Sequence, residues 1–289
     1  MTQTCYRHPD RPTALSCTRC GRSACPDCLR PASVGQHCVD CVNEANATAR
    51  VRTDAPVVDD SAAARRPVVT YGLIAVNLAA FIAVVLQAGG TSNLLLKSSI
   101  MQQGALVTGL GLENEYWRLL TSGFLHWSIL HVAMNMISLY LIGADLERVL
   151  GPARYLAVYL IGLFGGSAAV VALGPELAAT AGASGAIYGL LGALLIVVIR
   201  LKLPATTLIT VIVLNVVLSL SIPGISIWAH FGGFVFGAAS AAAIIWLPVK
   251  VLPPEKRTYQ QVTRVGWIGL VALLVIALAI GTGFAAAIG

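Results

Sequence analysis

Charge is scarce in this chain. Asp, Glu, Lys and Arg make up 11% of its 289 residues, against roughly 25% in soluble globular proteins. That scarcity excludes a disordered chain, a coiled-coil rod and an ordinary pair of soluble domains. Cysteine is missing after Cys41, and no long apolar run precedes Val68. A secretory signal peptide is therefore not expected, and the residues before Val68 are expected to stay in the cytoplasm. What is abundant is apolar: the residues AVILMFWYC reach 57% and the mean hydropathy is +0.79. This composition predicts an all-α polytopic membrane protein.

The formal charge of +6 does not predict a nucleic-acid partner, because in such a protein the placement of basic residues matters more than their sum. Composition changes near residue 67. Residues 1–41 hold all seven cysteines, and 42–67 read as a flexible linker ending in Arg65-Arg66-Pro67. Seven apolar segments follow, near 68–88, 127–144, 155–173, 183–200, 205–222, 226–247 and 265–287. Each approaches the roughly 20 residues needed to cross a bilayer. The stretch 89–126, with Glu113, Glu115, Trp117 and Arg118 among apolar residues, is expected at the membrane interface.

Orientation follows from the basic residues. With the N-terminus inside, only Lys97 and Arg118 fall outside the cytoplasm. The C-terminus is then outside. Arg outnumbers Lys 15 to 4, which together with the Ala and Val content suggests a bacterial source and hence the plasma membrane.

The N-terminal segment carries four pairs at two-residue spacing: Cys5 and His8, Cys17 and Cys20, Cys25 and Cys28, Cys38 and Cys41. Eight such ligands suffice for two tetrahedral Zn2+ ions. About 40 residues bury little core, so metal would supply most of the folding energy. Disulfides are not expected from an odd cysteine count in a reducing compartment. His37 reads as a surface histidine. The spacing resembles the B-box type of zinc finger, in which alternate pairs share a metal. That resemblance implies one site from Cys5, His8, Cys25 and Cys28 and another from Cys17, Cys20, Cys38 and Cys41; pairing in sequence order is the alternative.

Polar residues inside apolar spans are costly and therefore point to function. They gather in three places: His126, His131 and Asn135 at the start of the second segment, Gly182-Ala183-Ser184-Gly185 at the fourth, and Ala229-His230-Phe231-Gly232-Gly233 at the sixth. These segments all run from outside to inside, so the clusters share one depth near the outer face. Gly185, Gly189 and Gly192 form one small-residue face, and Gly233 and Gly237 another, which lets the two backbones approach. Ser184 would then meet His230 as nucleophile and general base. Tyr188, one turn beyond Ser184, would pack on the His230 ring. No acidic third member is evident, so the expectation is a dyad. The Ser184 amide, His131 and Asn135 are candidate oxyanion donors. There is no His-Glu-x-x-His metalloprotease motif, no second aspartate for an aspartyl mechanism, and no lysine inside a span.

Together these residues resemble the rhomboid family of intramembrane serine proteases. The likeness runs through Glu115-Tyr116-Trp117-Arg118, then His126, His131 and Asn135, then Gly143 to Gly151 with Glu147. It continues through Gly182 to Gly189 and Ala229 to Gly233, ending at Gly237. It implies a six-helix protease core over 68–247. Residues 248–289 would then be a cytoplasmic loop and a seventh transmembrane helix. It makes Ser184 the nucleophile, His230 the base, and His131, Asn135 and the Ser184 amide the oxyanion site. Trp117 and Arg118 would stabilise the first loop, Glu147 the loop after the second segment, and His126 the structure. The implied substrates are transmembrane proteins cut near the outer face, without a metal in the reaction. A cytoplasmic protein partner is one use for the zinc module. The alternatives are a non-catalytic rhomboid-like protein that binds transmembrane clients, and a transporter.

Overall fold

A computed structural model describes residues 3–32, 35–52, 66–108, 115–175, 177–222 and 224–288. Glu113, Glu176 and residues 53–65 of the expected linker lie outside the described residues. The chain divides into two compact units, Met1–Val57 and Val58–Gly289.

The first unit has almost no aliphatic core. Among its described residues the buried ones are six cysteines with Ala24 and Leu29, and Tyr6 packs against them. Strands β1 (Leu29–Pro31) and β2 (Gln36–Cys38) pair antiparallel, with Leu29 opposite Cys38. Helix α1 (Val39–Arg52) follows. This corrects the expected linker boundary: residues 42–52 are helical. The stretch lacks apolar periodicity, but it also lacks Gly and Pro and is rich in Ala and Arg, good helix formers. Asp40 adds an acidic group to its first turn.

Among its described residues, the secondary structure of the second unit is helical apart from one two-residue strand pair. All seven expected segments are helices: α2 (Val68–Ala88), α3 (Ile129–Leu150), α4 (Pro152–Leu173), α5 (Ser184–Arg200), α6 (Thr206–Ser221), α7 (Ile227–Ile245) and α8 (Tyr259–Ile288). Five are long and apolar enough to cross a membrane, whereas α5 and α6, at 17 and 16 residues, are shorter apolar helices. The protein is thus a polytopic α-helical membrane protein.

Helix α3 runs past the expected end at residue 144. It crosses a π-helical turn at Leu139–Gly143 and continues to Leu150. Hydropathy ends earlier because Asp145, Glu147 and Arg148 are polar. Yet Arg148 pairs with Asp145 at 2.7 Å, and the Glu147 side chain is buried. Glu147 accepts from the Val69 N–H at 3.0 Å and from the Thr70 N–H and hydroxyl, each at 2.8 Å. Expected to hold the loop after the second segment, this side chain instead caps the start of α2. Only the tertiary fold brings together groups 77 residues apart.

Helices α4, α5 and α7 form the centre, and glycine sets their spacing. A Cβ on Gly189 would lie 2.9 Å from Gly162 Cα and 3.2 Å from the Gly233 carbonyl oxygen. One on Gly233 would overlap the Gly185 carbonyl group, and one on Gly237 the Gly189 carbonyl. Backbone therefore rests directly on backbone, the arrangement that small residues permit in membrane helices. Helix α8 packs on α4 and α7, with Leu270 and Ala277 buried.

Candidate active site and metal clusters

Ser184 is the first residue of α5, and the preceding Gly182 turns the chain into it at φ +145°. No L side chain fits that turn easily. A Cβ there would also lie 3.0 Å from His131 Nε2 and 3.6 Å from the Ser184 hydroxyl oxygen. Gly182 thus lets the His131 ring lie close to the serine. As the opening residue of a helix, Ser184 has a backbone N–H without an intrahelical acceptor.

His230 sits one turn into α7, whose start is capped by the Ser226 hydroxyl accepting from the Ala229 N–H. The residue is 5% exposed. His230 Nε2 lies 2.8 Å from the Ser184 hydroxyl oxygen, across 46 residues of sequence. Tyr188 is stacked on the imidazole, with ring centres 4.0 Å apart and planes at 11°. The stack closes one face of the ring and limits its rotation.

His131 and Asn135 lie one turn apart on α3, whose first turn is capped by Ser128. The Asn135 Nδ2 donor is buried and has no hydrogen-bond partner among the described residues. His126 is fully buried, packs edge-on to His131 with ring centres 5.0 Å apart, and leaves both ring nitrogens unpartnered among the described residues. Trp117 and Arg118 stand apart from this group. Arg118 binds Glu115 at 2.6 Å and the carbonyls of Gln102 and Ala105, while the Trp117 indole donates to Gln103. Those contacts tie the first loop together.

One residue at the site was missed in the sequence. Ser219, near the end of α6, places its hydroxyl oxygen 2.7 Å from His230 Nδ1 and 3.1 Å from the Tyr188 hydroxyl. A serine in Ser219-Leu220-Ser221 carries no motif. Its signal was parity: α6 ends at the face where α5 and α7 begin.

In the first unit the alternate pairs come together. Cys5, His8, Cys25 and Cys28 form one group and Cys17, Cys20, Cys38 and Cys41 the other, with ligand atoms within 4.8 Å of one another. His8 Nδ1 lies 3.8, 3.4 and 3.4 Å from the sulfurs of Cys5, Cys25 and Cys28, and the Cys20 and Cys38 sulfurs are 3.7 Å apart. A tetrahedral zinc with Zn–S bonds of about 2.3 Å needs ligand edges of about 3.5–3.8 Å, so both groups fit one metal ion each. Burial opposes ionisation of Cys5, but backbone donors at Cys25, Arg7 and His8 outweigh it and hold the thiol down to about 6. Cys17 is likewise held down to about 6, with donors at Cys38, Cys20 and Arg19 outweighing burial. Arg22 lies 3.4 Å from the Cys20 sulfur and 3.8 Å from that of Cys38, a counter-charge for the all-cysteine group. His37 pairs with Arg30 across the hairpin and belongs to neither group.

Comparison with known proteins gives one consistent answer. Residues 113–247 match the Rhomboid domain. The chain is 34% identical over 184 residues to the rhomboid protease GluP of Bacillus subtilis, covering 62% of this chain and 35% of that protein. It is 37% identical over 139 residues to YdcA of the same bacterium, whose rhomboid-protease name is provisional, covering 45% of this chain and 70% of YdcA. RHOMBOID-like protein 5 of Arabidopsis thaliana is 40% identical over 198 residues, covering 60% of this chain and 64% of the plant protein. The chain thus spans little more than a third of GluP's length and less than two thirds of RHOMBOID-like protein 5.

Proposed function

Because this chain belongs to the rhomboid family, we propose that it is an intramembrane serine endopeptidase that cuts transmembrane proteins with a Ser184–His230 dyad. The observation that carries this reading is the 2.8 Å contact between the Ser184 hydroxyl and His230 Nε2, part-buried between α5 and α7. A serine and a histidine so placed inside an apolar bundle have a costly structural alternative and a direct chemical use.

In the reaction, His230 Nε2 takes the hydroxyl proton as the Ser184 oxygen bonds to the substrate carbonyl carbon. The carbonyl oxygen becomes an anion, and the Ser184 N–H, the Asn135 amide and the His131 ring are the donors set around it. His230 then gives its proton to the leaving amine, which departs and leaves an acyl-enzyme on Ser184. Water, deprotonated by His230, attacks that ester and restores the serine.

The shortness of α5 supports a site below the membrane surface. Seventeen residues rise about 25 Å, less than the hydrocarbon core of about 30 Å. With Arg200 at the cytoplasmic interface, Ser184 lies within the bilayer on the outer side. The orientation is N-terminus in and C-terminus out, from the positive-inside distribution, and the Arg-rich, Ala- and Val-rich composition supports a bacterial plasma membrane. The two metal groups each hold one structural Zn2+, which when bound fixes the fold of the first unit and supplies no chemistry to cleavage.

The test is cleavage of a single-span substrate in liposomes, with labelling by a fluorescent serine-reactive phosphonate. Ser184→Ala and His230→Ala are each expected to abolish both signals, and the double variant to be no worse than either single one. Full cutting by either single variant rejects the dyad. A wild-type chain that binds the substrate but neither cuts nor labels is a client-binding relative.

A further inference from the structure

We propose that Ser219 is the positioning residue that fixes which nitrogen of His230 carries the proton. The inference rests on the protease reading above and deepens it.

The argument is a count of protons and lone pairs. The Ser219 hydroxyl has one proton and two lone pairs. Three groups surround its oxygen: the Asn215 carbonyl at 2.7 Å, His230 Nδ1 at 2.7 Å and the Tyr188 hydroxyl at 3.1 Å. The Asn215 carbonyl can only accept, so it takes the serine proton. This is the backward bond to the preceding turn that serines make in apolar helices. The two lone pairs remain for the other neighbours. The Tyr188 hydroxyl, buried in the bundle, donates to one. His230 Nδ1 must then be the protonated nitrogen and donate to the other. The consequence falls on the far side of the ring. With the proton on Nδ1, Nε2 presents a lone pair to the Ser184 hydroxyl, the form a general base requires. The opposite tautomer would point an N–H at Ser184 and could not take its proton.

The surroundings of Ser219 fit this role. Among the described residues of α6, it alone is buried, and the rest of the helix is partly or fully exposed in the monomer. A helix that buries one side chain, and buries it as a hydroxyl on the catalytic ring, contributes more to the orientation of that ring than to core packing. Ser219 does not touch the reacting atoms. It acts through His230, as an acidic residue does in a three-membered arrangement, but as a neutral acceptor. The expected effect is therefore smaller than the roughly 10⁴-fold loss seen when an acidic orienting partner is neutralised. About tenfold is the scale of one neutral hydrogen bond.

The experiment compares the full-length wild type with Ser219→Ala and Ser219→Thr in liposomes. Ser219→Ala is expected to lower kcat about tenfold with KM within twofold, and to slow phosphonate labelling by the same factor. Ser219→Thr, which keeps the hydroxyl, is expected to recover most of that loss. The decisive readout is nitrogen-15 NMR of ring-labelled histidine, with His230 assigned by the signals lost in His230→Ala. The wild type and Ser219→Thr should show Nδ1 protonated; Ser219→Ala should shift toward the Nε2–H form. An unchanged tautomer in Ser219→Ala overturns the proposal, whatever happens to activity, because a packing defect leaves the ring nitrogens as they were. If the wild type cuts nothing, the protease reading fails while the NMR comparison still decides the role of Ser219.

Discussion

Asn135 brings a side-chain amide into the protein and leaves its Nδ2 buried without a partner among the described residues. An open buried donor costs about 1–3 kcal/mol, a cost that is recovered where a transition state supplies the acceptor. Asn135→Ala is accordingly expected to lower kcat about a hundredfold while leaving KM within twofold and thermal stability unchanged or higher. Steady-state cleavage in liposomes and a melting curve check this; an equal loss in KM would make Asn135 a substrate-binding group. At this scale the sequence was legible where a residue type is out of place. Ser184, His230, His131 and Asn135 are polar groups at the starts of apolar segments. Ser219 is one of two serines in an apolar helix, and nothing in its neighbours separates it from Ser221. Only the fold, by setting it 2.7 Å from His230, does so.

Among the helices, contact distances rank the glycines in an order the sequence does not give. A Cβ on Gly185 would lie 3.3 Å from the Ala229 carbonyl oxygen, a crowding that a small shift relieves. One on Gly233 would overlap the Gly185 carbonyl, whose carbon is 2.8 Å away, and backbone on both sides cannot yield. Gly233→Ala should therefore cost about 1–3 kcal/mol and most of the cleavage, with Gly185→Ala clearly milder. Melting temperatures of the two purified variants decide it, and equal stability would refute the ranking. Glu147 works between helices as well. Its carboxylate holds two N–H groups and a hydroxyl at the start of α2. Glu147→Ala strands those buried donors and should cost about 3 kcal/mol, while Glu147→Gln should recover part of it. Loosening of α2 would appear as faster hydrogen exchange at Val69 and Thr70.

For the molecule as a whole, the first unit has a core made largely of cysteines that could hold metal. Without metal, six buried cysteines and two aliphatic residues do not hold 40 residues together. Elemental analysis should find about two zinc ions per chain, falling to about one in Cys25→Ser, with Cys17, Cys20, Cys38 and Cys41 still bound. A chelator should unfold residues 1–41, seen by protease nicking, and a truncation starting near Ala55 should still cut a small substrate. One metal or none, or loss of phosphonate labelling on chelation, would overturn the separation of structural metal from chemistry.

The sequence by itself determined the seven helices, because bilayer thickness fixes a length and hydropathy reads it directly. It also determined the ligand pairs, since two-residue spacing is local, and the serine and histidine, since polar groups in apolar segments are conspicuous. Tertiary structure alone decided which Cys/His pairs come together, where Glu147 reaches, and that Ser219 meets the His230 ring. The physical reason is range. Periodicity and spacing act within a few turns, whereas these contacts join residues 11 to 77 positions apart.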